Sequence, residues 1–167
     1  MNAEELRAAQ APLKARYRED PSAASVTLRA AGTTDTPAQL CRVHTFLGVV
    51  DAGLHPATGG DGNKACSGDM LLEALVACAG VTLGAVATSM GIRVQSGRIT
   101  AEGVIDFRGT LGVSRDAPVG FREVRLRFEL ETDATLEAQR KLIDLTERYC
   151  VIYQTLKHPP AVQTIAG

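Results

Sequence analysis

The feature that most constrains this chain is a long, predominantly apolar run from about Ser67 to Met90, closed at once by Gly91. It is far too long for a strand, so it reads as a helix with Gly91 as its C-terminal stop. Residues 71–90 carry one charge, Glu73, and are long enough to cross a membrane. They are, however, interspersed with Gly, Ala, Ser, Thr and a Cys, a mixture that suits a buried helix of a soluble protein better than a membrane span. Ala77, Gly80, Gly84 and Ala87 set small residues along one side, and Ala74, Cys78 and Ala85 form a second small patch. Small side chains let another backbone come close, so two partners are expected to press on this helix. A 167-residue chain would be hard pressed to cover it alone. A dimer follows as an expectation.

Around this helix the pattern is mixed. Leu6, Ala9, Leu13 and Tyr17 recur at helical spacing, with Pro12 set to kink that segment or start it. Residues 26–30 alternate as a strand does, before a turn around Gly32 to Asp35. Residues 40–47 read as a second strand, with Cys41 and Val43 on one face and Arg42 and His44 on the other. Residues 51–66 form a long Gly- and Asp-rich connection holding His55, of a length often found in lids and binding loops. Residues 92–107 suggest one long or bent strand and 121–131 the clearest alternation in the chain. Residues 134–149 carry the helical stripe Ala138, Leu142, Leu145 and Tyr149. A short helical turn over 151–157 ends before Pro159-Pro160, and residues 161–165 suggest a last strand. Strands alternating with separate helices in this order imply an α+β fold.

Composition narrows the function. A formal net charge of −1, 4% aromatic residues and no Trp leave no footprint for nucleic acid. The N-terminal residues lack the apolar core of a secretory signal, which points to the cytoplasm. Four cysteines in a chain able to build a core read as buried, metal-binding or redox thiols, not as a disulfide scaffold. Cys41 and His44 are three apart on a strand and face opposite ways, and no Cys-x-x-Cys pair exists, so a zinc site with Cys66 and His55 is not expected.

Two thiols remain. Cys78 on the long helix is either an inert buried thiol or a nucleophile. Cys150, beside Arg148 and opening a helical turn, is placed to have a lowered pKa. Should the fold bring their Cα atoms within about 6 Å, they could form a disulfide.

Two segments carry a family resemblance. Ser67-Gly68-Asp69-Met70-Leu71-Leu72-Glu73-Ala74-Leu75-Val76-Ala77-Cys78 and Glu147-Arg148-Tyr149-Cys150-Val151-Ile152-Tyr153-Gln154-Thr155-Leu156 resemble the two cysteine motifs of the OsmC/Ohr family, in that family's order. The resemblance covers roughly residues 25–165. It implies a helical extension over 1–22 and an OsmC-like domain over 23–167. That domain would have curved antiparallel sheets around long central apolar helices in an intertwined homodimer. It further implies a thiol-dependent peroxidase with no metal or cofactor; composition already argues against a nucleic-acid or membrane partner. Cys78 would be the peroxidatic thiolate, Cys150 the resolving thiol, an organic hydroperoxide the substrate and a dithiol such as a lipoyl group the reductant.

The chain departs from the family in three places. Ser67-Gly68 stands where the Ohr branch has Pro-Glu, leaving Asp69 as the nearest carboxylate, and Val151 replaces a Pro after the second Cys. The activating Arg has no clear counterpart. Arg42 is the first choice, with Arg148, His55 and Glu73 as further candidates for activating or lining the site. The alternative function is a non-catalytic binding protein of the same fold, holding a small hydrophobic or thiol-bearing ligand. A thiol-dependent reductase or transferase stands third.

Overall fold

The computed structural model describes residues 1–166. The elements, in chain order, are α1 (Ala3–Glu19), β1 (Ala31–Asp35), β2 (Leu40–Thr45), β3 (Gly48–Ala52), α2 (Ser67–Met90), β4 (Val94–Ile105), α3 (Phe107–Thr110), β5 (Phe121–Thr132), α4 (Leu136–Tyr149) and α5 (Val151–Lys157). The α+β class is as the sequence implies, with antiparallel β1-β2-β3 and β4-β5 sheets. The chain forms two compact units.

The first unit comprises Met1–Arg18, Ala74–Thr100 and the chain from Leu126 onward. Its core is Leu83 and Ala87 of α2 and Leu142 of α4, packed with Val86, Met90, Ile92, Val94, Ile99, Phe128 and Leu130. The alternation seen in the sequence of β5 is real: Val124, Leu126, Phe128 and Leu130 are half-buried between exposed charged residues. Gly91 ends α2 at φ +68°, with Ile92 N–H donating to the Ala87 carbonyl and Gly91 N–H to that of Thr88, a Schellman closure. Along α2 the buried residues are Leu75, Ala79, Leu83 and Ala87, one stripe at every fourth position. Another stripe, Ala74, Ala77, Val81 and Gly84, lies exposed, with Val81 at 78%. α1 starts at a capping box, where the Asn2 side chain accepts from Glu5 N–H and the Glu5 carboxylate accepts from Asn2 N–H. The helix runs through Pro12 instead of starting there, and none of its residues is buried.

The second unit comprises Glu19–Glu73 and Ala101–Arg125. Its β1-β2-β3 meander corrects the sequence reading. Residues 26–30 are not a strand; the strand is Ala31–Asp35, paired antiparallel with β2 from Ala31↔His44 to Asp35↔Leu40. The turn lies four residues later, over Thr36 to Gln39, held by Asp35 accepting from Ala38 N–H and by Gln39 at φ 53°. Gly32 belongs inside the strand because a Cβ there would come within 2.8 Å of the Cys41 sulfur. β2 then turns through the exposed pair Phe46-Leu47 into β3, an element the sequence reading missed by extending β2 to Leu47. The last expected strand, over 161–165, is absent: these residues have no regular structure and are exposed.

Candidate functional site

Cys78 lies half-buried on α2, and Cys150 is the single residue between α4 and α5, with 0% of its surface exposed. Cys150 is buried because α4 presents Leu142, Thr146 and Cys150 at successive fourth positions, all three at 0% exposure. Tyr149, which the sequence reading placed in a buried stripe with Ala138, Leu142 and Leu145, is 59% exposed, with the Arg148 guanidinium 5.6 Å from its ring centre.

The two thiols are close enough to influence each other, and their acidities are driven apart. Burial works to raise the Cys78 pKa, but it is outweighed. The nearby backbone N–H of Ile152, the Cys150 thiol, the N–H of Val151 and the Thr82 hydroxyl each favour the Cys78 thiolate, and together they hold its pKa below that of an ordinary cysteine. Cys150 goes the other way. Burial raises it first, the N–H groups of Tyr153 and Ile152 offset part of that, and the neighbouring Cys78 adds to the rise. The sequence reading had Arg148 acidify Cys150. The structure corrects this: the lowered thiol is Cys78, and Arg148 spends its contact on Tyr149.

The corner at Cys150 is tightly bonded. Cys150 N–H donates to the Thr146 carbonyl at 2.9 Å, and its sulfur accepts from Tyr153 N–H at 3.5 Å. The Tyr153 hydroxyl donates to the Glu147 carboxylate at 3.0 Å, and the Gln154 side-chain amide donates to the Glu147 carbonyl at 2.8 Å. On the flank of this corner lies an open cleft of about 500 Å³ lined by residues including Arg148, Val151, Gln154 and His158.

The remaining sequence candidates belong to the second unit. Arg42 is ion-paired with Asp35 at 3.3 Å and Asp51 at 3.8 Å, and Lys64 bridges Asp51 from the other side. His55 caps a short 3-10 turn by accepting from Ala57 N–H through Nδ1, and its ring stacks on Phe107 at 5.0 Å. His55 and Asp69 both line a cleft of about 320 Å³ with Cys66, Leu72, Phe107 and Phe121. Glu73 is exposed on α2. No group of three or more His, Cys, Asp or Glu residues among those described is arranged to hold a metal.

Sequence reasoning missed Thr82, Glu147 and Gln154 and gave Tyr153 only a packing role. Thr82 had a signal: it lies one helical turn after Cys78 and so shares its face. The others had none, because their roles depend on a break in the helix at Cys150.

An α+β protein with antiparallel sheets, one long apolar helix and two free thiols that influence each other's acidity is the class these observations define. The sequence pattern described as OsmC-like protein matches residues 60–165, and the chain belongs to that OsmC/Ohr family. Among solved structures it is similar to an OsmC-like protein from Mycoplasma pneumoniae, at 16% identity and a TM-score of 0.67, over 81% of this chain and 90% of that one. It is also similar to an organic hydroperoxide resistance protein from Elizabethkingia anophelis, at 18% identity and 0.65, over 81% and 91%. The organic hydroperoxide resistance protein of Bacillus subtilis matches at 16% identity and 0.54, over 80% and 93%. No curated protein matches by sequence.

Proposed function

We propose that this chain is a thiol-dependent peroxidase that reduces organic hydroperoxides. The observation that carries the reading is the pairing of two free thiols, half-buried Cys78 and fully buried Cys150, near enough to push each other's acidity in opposite directions. A peroxidatic sulfur must be a thiolate near neutral pH, and its resolving partner must stay a thiol until it is needed. Three structural neighbours are named as organic hydroperoxide resistance proteins, which supports this substrate class.

The chemistry follows from the pair. The Cys78 thiolate attacks one oxygen of the hydroperoxide; the O–O bond breaks, the alkoxide takes a proton and leaves as the alcohol, and Cys78 becomes a sulfenic acid. That step removes the negative charge which had helped to hold the Cys150 proton. Oxidation of Cys78 therefore eases ionisation of Cys150, whose thiolate condenses with the sulfenic acid, forming the disulfide and releasing water. An external dithiol, such as a lipoyl group, restores both thiols by exchange and ends as its own disulfide. No metal or cofactor enters any step.

The exposed stripe of Ala74, Ala77, Val81 and Gly84 supports a homodimer in which α2 helices from two chains pair closely. A cytoplasmic location fits reversible thiol chemistry. The test is consumption of cumene hydroperoxide with dihydrolipoamide as reductant. Loss of all turnover in Cys78→Ser, and of dithiol-coupled turnover in Cys150→Ser, is expected. No consumption above the dithiol background would overturn the peroxidase and favour a binding protein of the same fold.

A further inference from the structure

α4 and α5 would be one helix but for Cys150, whose ψ of 110° breaks the run. In an unbroken helix the N–H groups of Val151, Ile152 and Tyr153 would bond to the carbonyls of Glu147, Arg148 and Tyr149, four residues back. At the break all three are released: the Tyr153 N–H donates to the Cys150 sulfur at 3.5 Å, and the Val151 and Ile152 N–H groups lie near enough to Cys78 to help lower its pKa. The break leaves the Glu147 carbonyl without its helical partner, and the Gln154 side-chain amide takes that place at 2.8 Å. The Glu147 carboxylate is tied across the same corner by the Tyr153 hydroxyl at 3.0 Å. Burial and the Glu147 charge both raise the Tyr153 pKa, so the phenol keeps the proton it donates.

We infer that Glu147, Tyr153 and Gln154 are positioning residues for the thiol pair, a clamp across the helix break that keeps Cys150 and the freed N–H groups against Cys78. With one non-helical residue between the helices, the corner angle depends on very few backbone dihedrals, and a modest swing would carry the N–H groups away from the sulfur. The two bonds to Glu147 remove that freedom. The inference deepens the peroxidase reading, but its test needs no peroxide.

The test is site-resolved alkylation of Cys78 by iodoacetamide as a function of pH, read by peptide mass spectrometry, with diamide-driven Cys78–Cys150 disulfide formation as a second readout. In Gln154→Ala and Tyr153→Phe the alkylation midpoint rises, slowing Cys78 at neutral pH by about threefold to tenfold, and disulfide formation slows with it. Glu147→Gln keeps both acceptor oxygens and stays close to wild type, whereas Glu147→Ala behaves like Tyr153→Phe. Tyr17→Phe, on α1, serves as the control. Wild-type profiles in both Gln154→Ala and Tyr153→Phe overturn the inference. So does a lower melting temperature with the Cys78 profile unmoved, which would make the clamp merely structural. Tyr153→Phe removes a single oxygen and carries the test should Gln154→Ala not fold. Because neither reagent is a peroxide, failure here is distinct from failure of the peroxidase reading.

Discussion

At the scale of single residues, burial opposes ionisation of Cys78, and its uncharged neighbours Ile152, Cys150, Val151 and Thr82 outweigh it and lower the pKa. Its lowered pKa means that Cys78 reactivity persists at pH values where an ordinary cysteine is protonated, and is lost as pH falls through its own lower midpoint. Cys150, raised, reacts only at higher pH. Alkylation followed across pH is expected to place the Cys78 midpoint below that of Cys150, and the two should converge when the chain is unfolded in denaturant. Thr82→Val removes a hydroxyl that helps to lower the Cys78 pKa while nearly preserving shape. Its expected effect is a slowing of Cys78 alkylation at neutral pH of about two- to fivefold with little change in melting temperature, a small effect because Thr82 is the least of the groups that lower the pKa. Cys78 and Cys150 were legible in the sequence as candidates. The direction of their acidities was not, because it depends on which N–H groups the helix break releases.

Elements follow the same rule: those set by local chemistry were legible and those set by pairing were not. The bounds of α2 and α5 could be read directly, since a long apolar run ended by glycine and a short turn ended by Pro159-Pro160 have few alternatives. Residues 26–30 alternate as well as a strand does but have no partner, whereas Ala31–Asp35, with its glycine, is zipped to β2 by the Thr36 to Gln39 turn. Leu142 is the fully buried anchor of α4, so Leu142→Ala is expected to cost about 2–5 kcal/mol in urea unfolding. α3 depends on its cap: Asp106 accepts from the Arg108 side chain and backbone N–H, and these bonds, with Arg122 nearby, bring its pKa to about 2. A carboxyl lowered in the folded state adds stability above its ordinary pKa and loses that contribution as pH falls through the folded value. Asp106→Asn should therefore be less stable than wild type by a constant margin above about pH 5, and the margin should close as pH falls toward about 2. Parallel denaturant titrations across that range measure it.

For the whole molecule, the governing fact is an apolar helix that its own chain covers poorly. Only 22% of the most apolar 18-residue window of α2 is buried. By length and composition alone α2 would also fit a membrane span. An exposed stripe of Ala74, Ala77, Val81 and Gly84 allows close helix pairing, and Val81→Glu sets a charge in its middle. Light scattering on a sizing column is expected to find a dimer for wild type and a monomer or aggregate for Val81→Glu; a wild-type monomer would refute the pairing. The central claim is that peroxide oxidises Cys78 and that Cys150 resolves it. The most direct measurement treats the reduced protein with one equivalent of cumene hydroperoxide and identifies the product by peptide mass spectrometry. A Cys78–Cys150 disulfide in wild type, and a trappable sulfenic acid on Cys78 in Cys150→Ser, are the expected results. Both thiols recovered unmodified, with the peroxide intact, would contradict it.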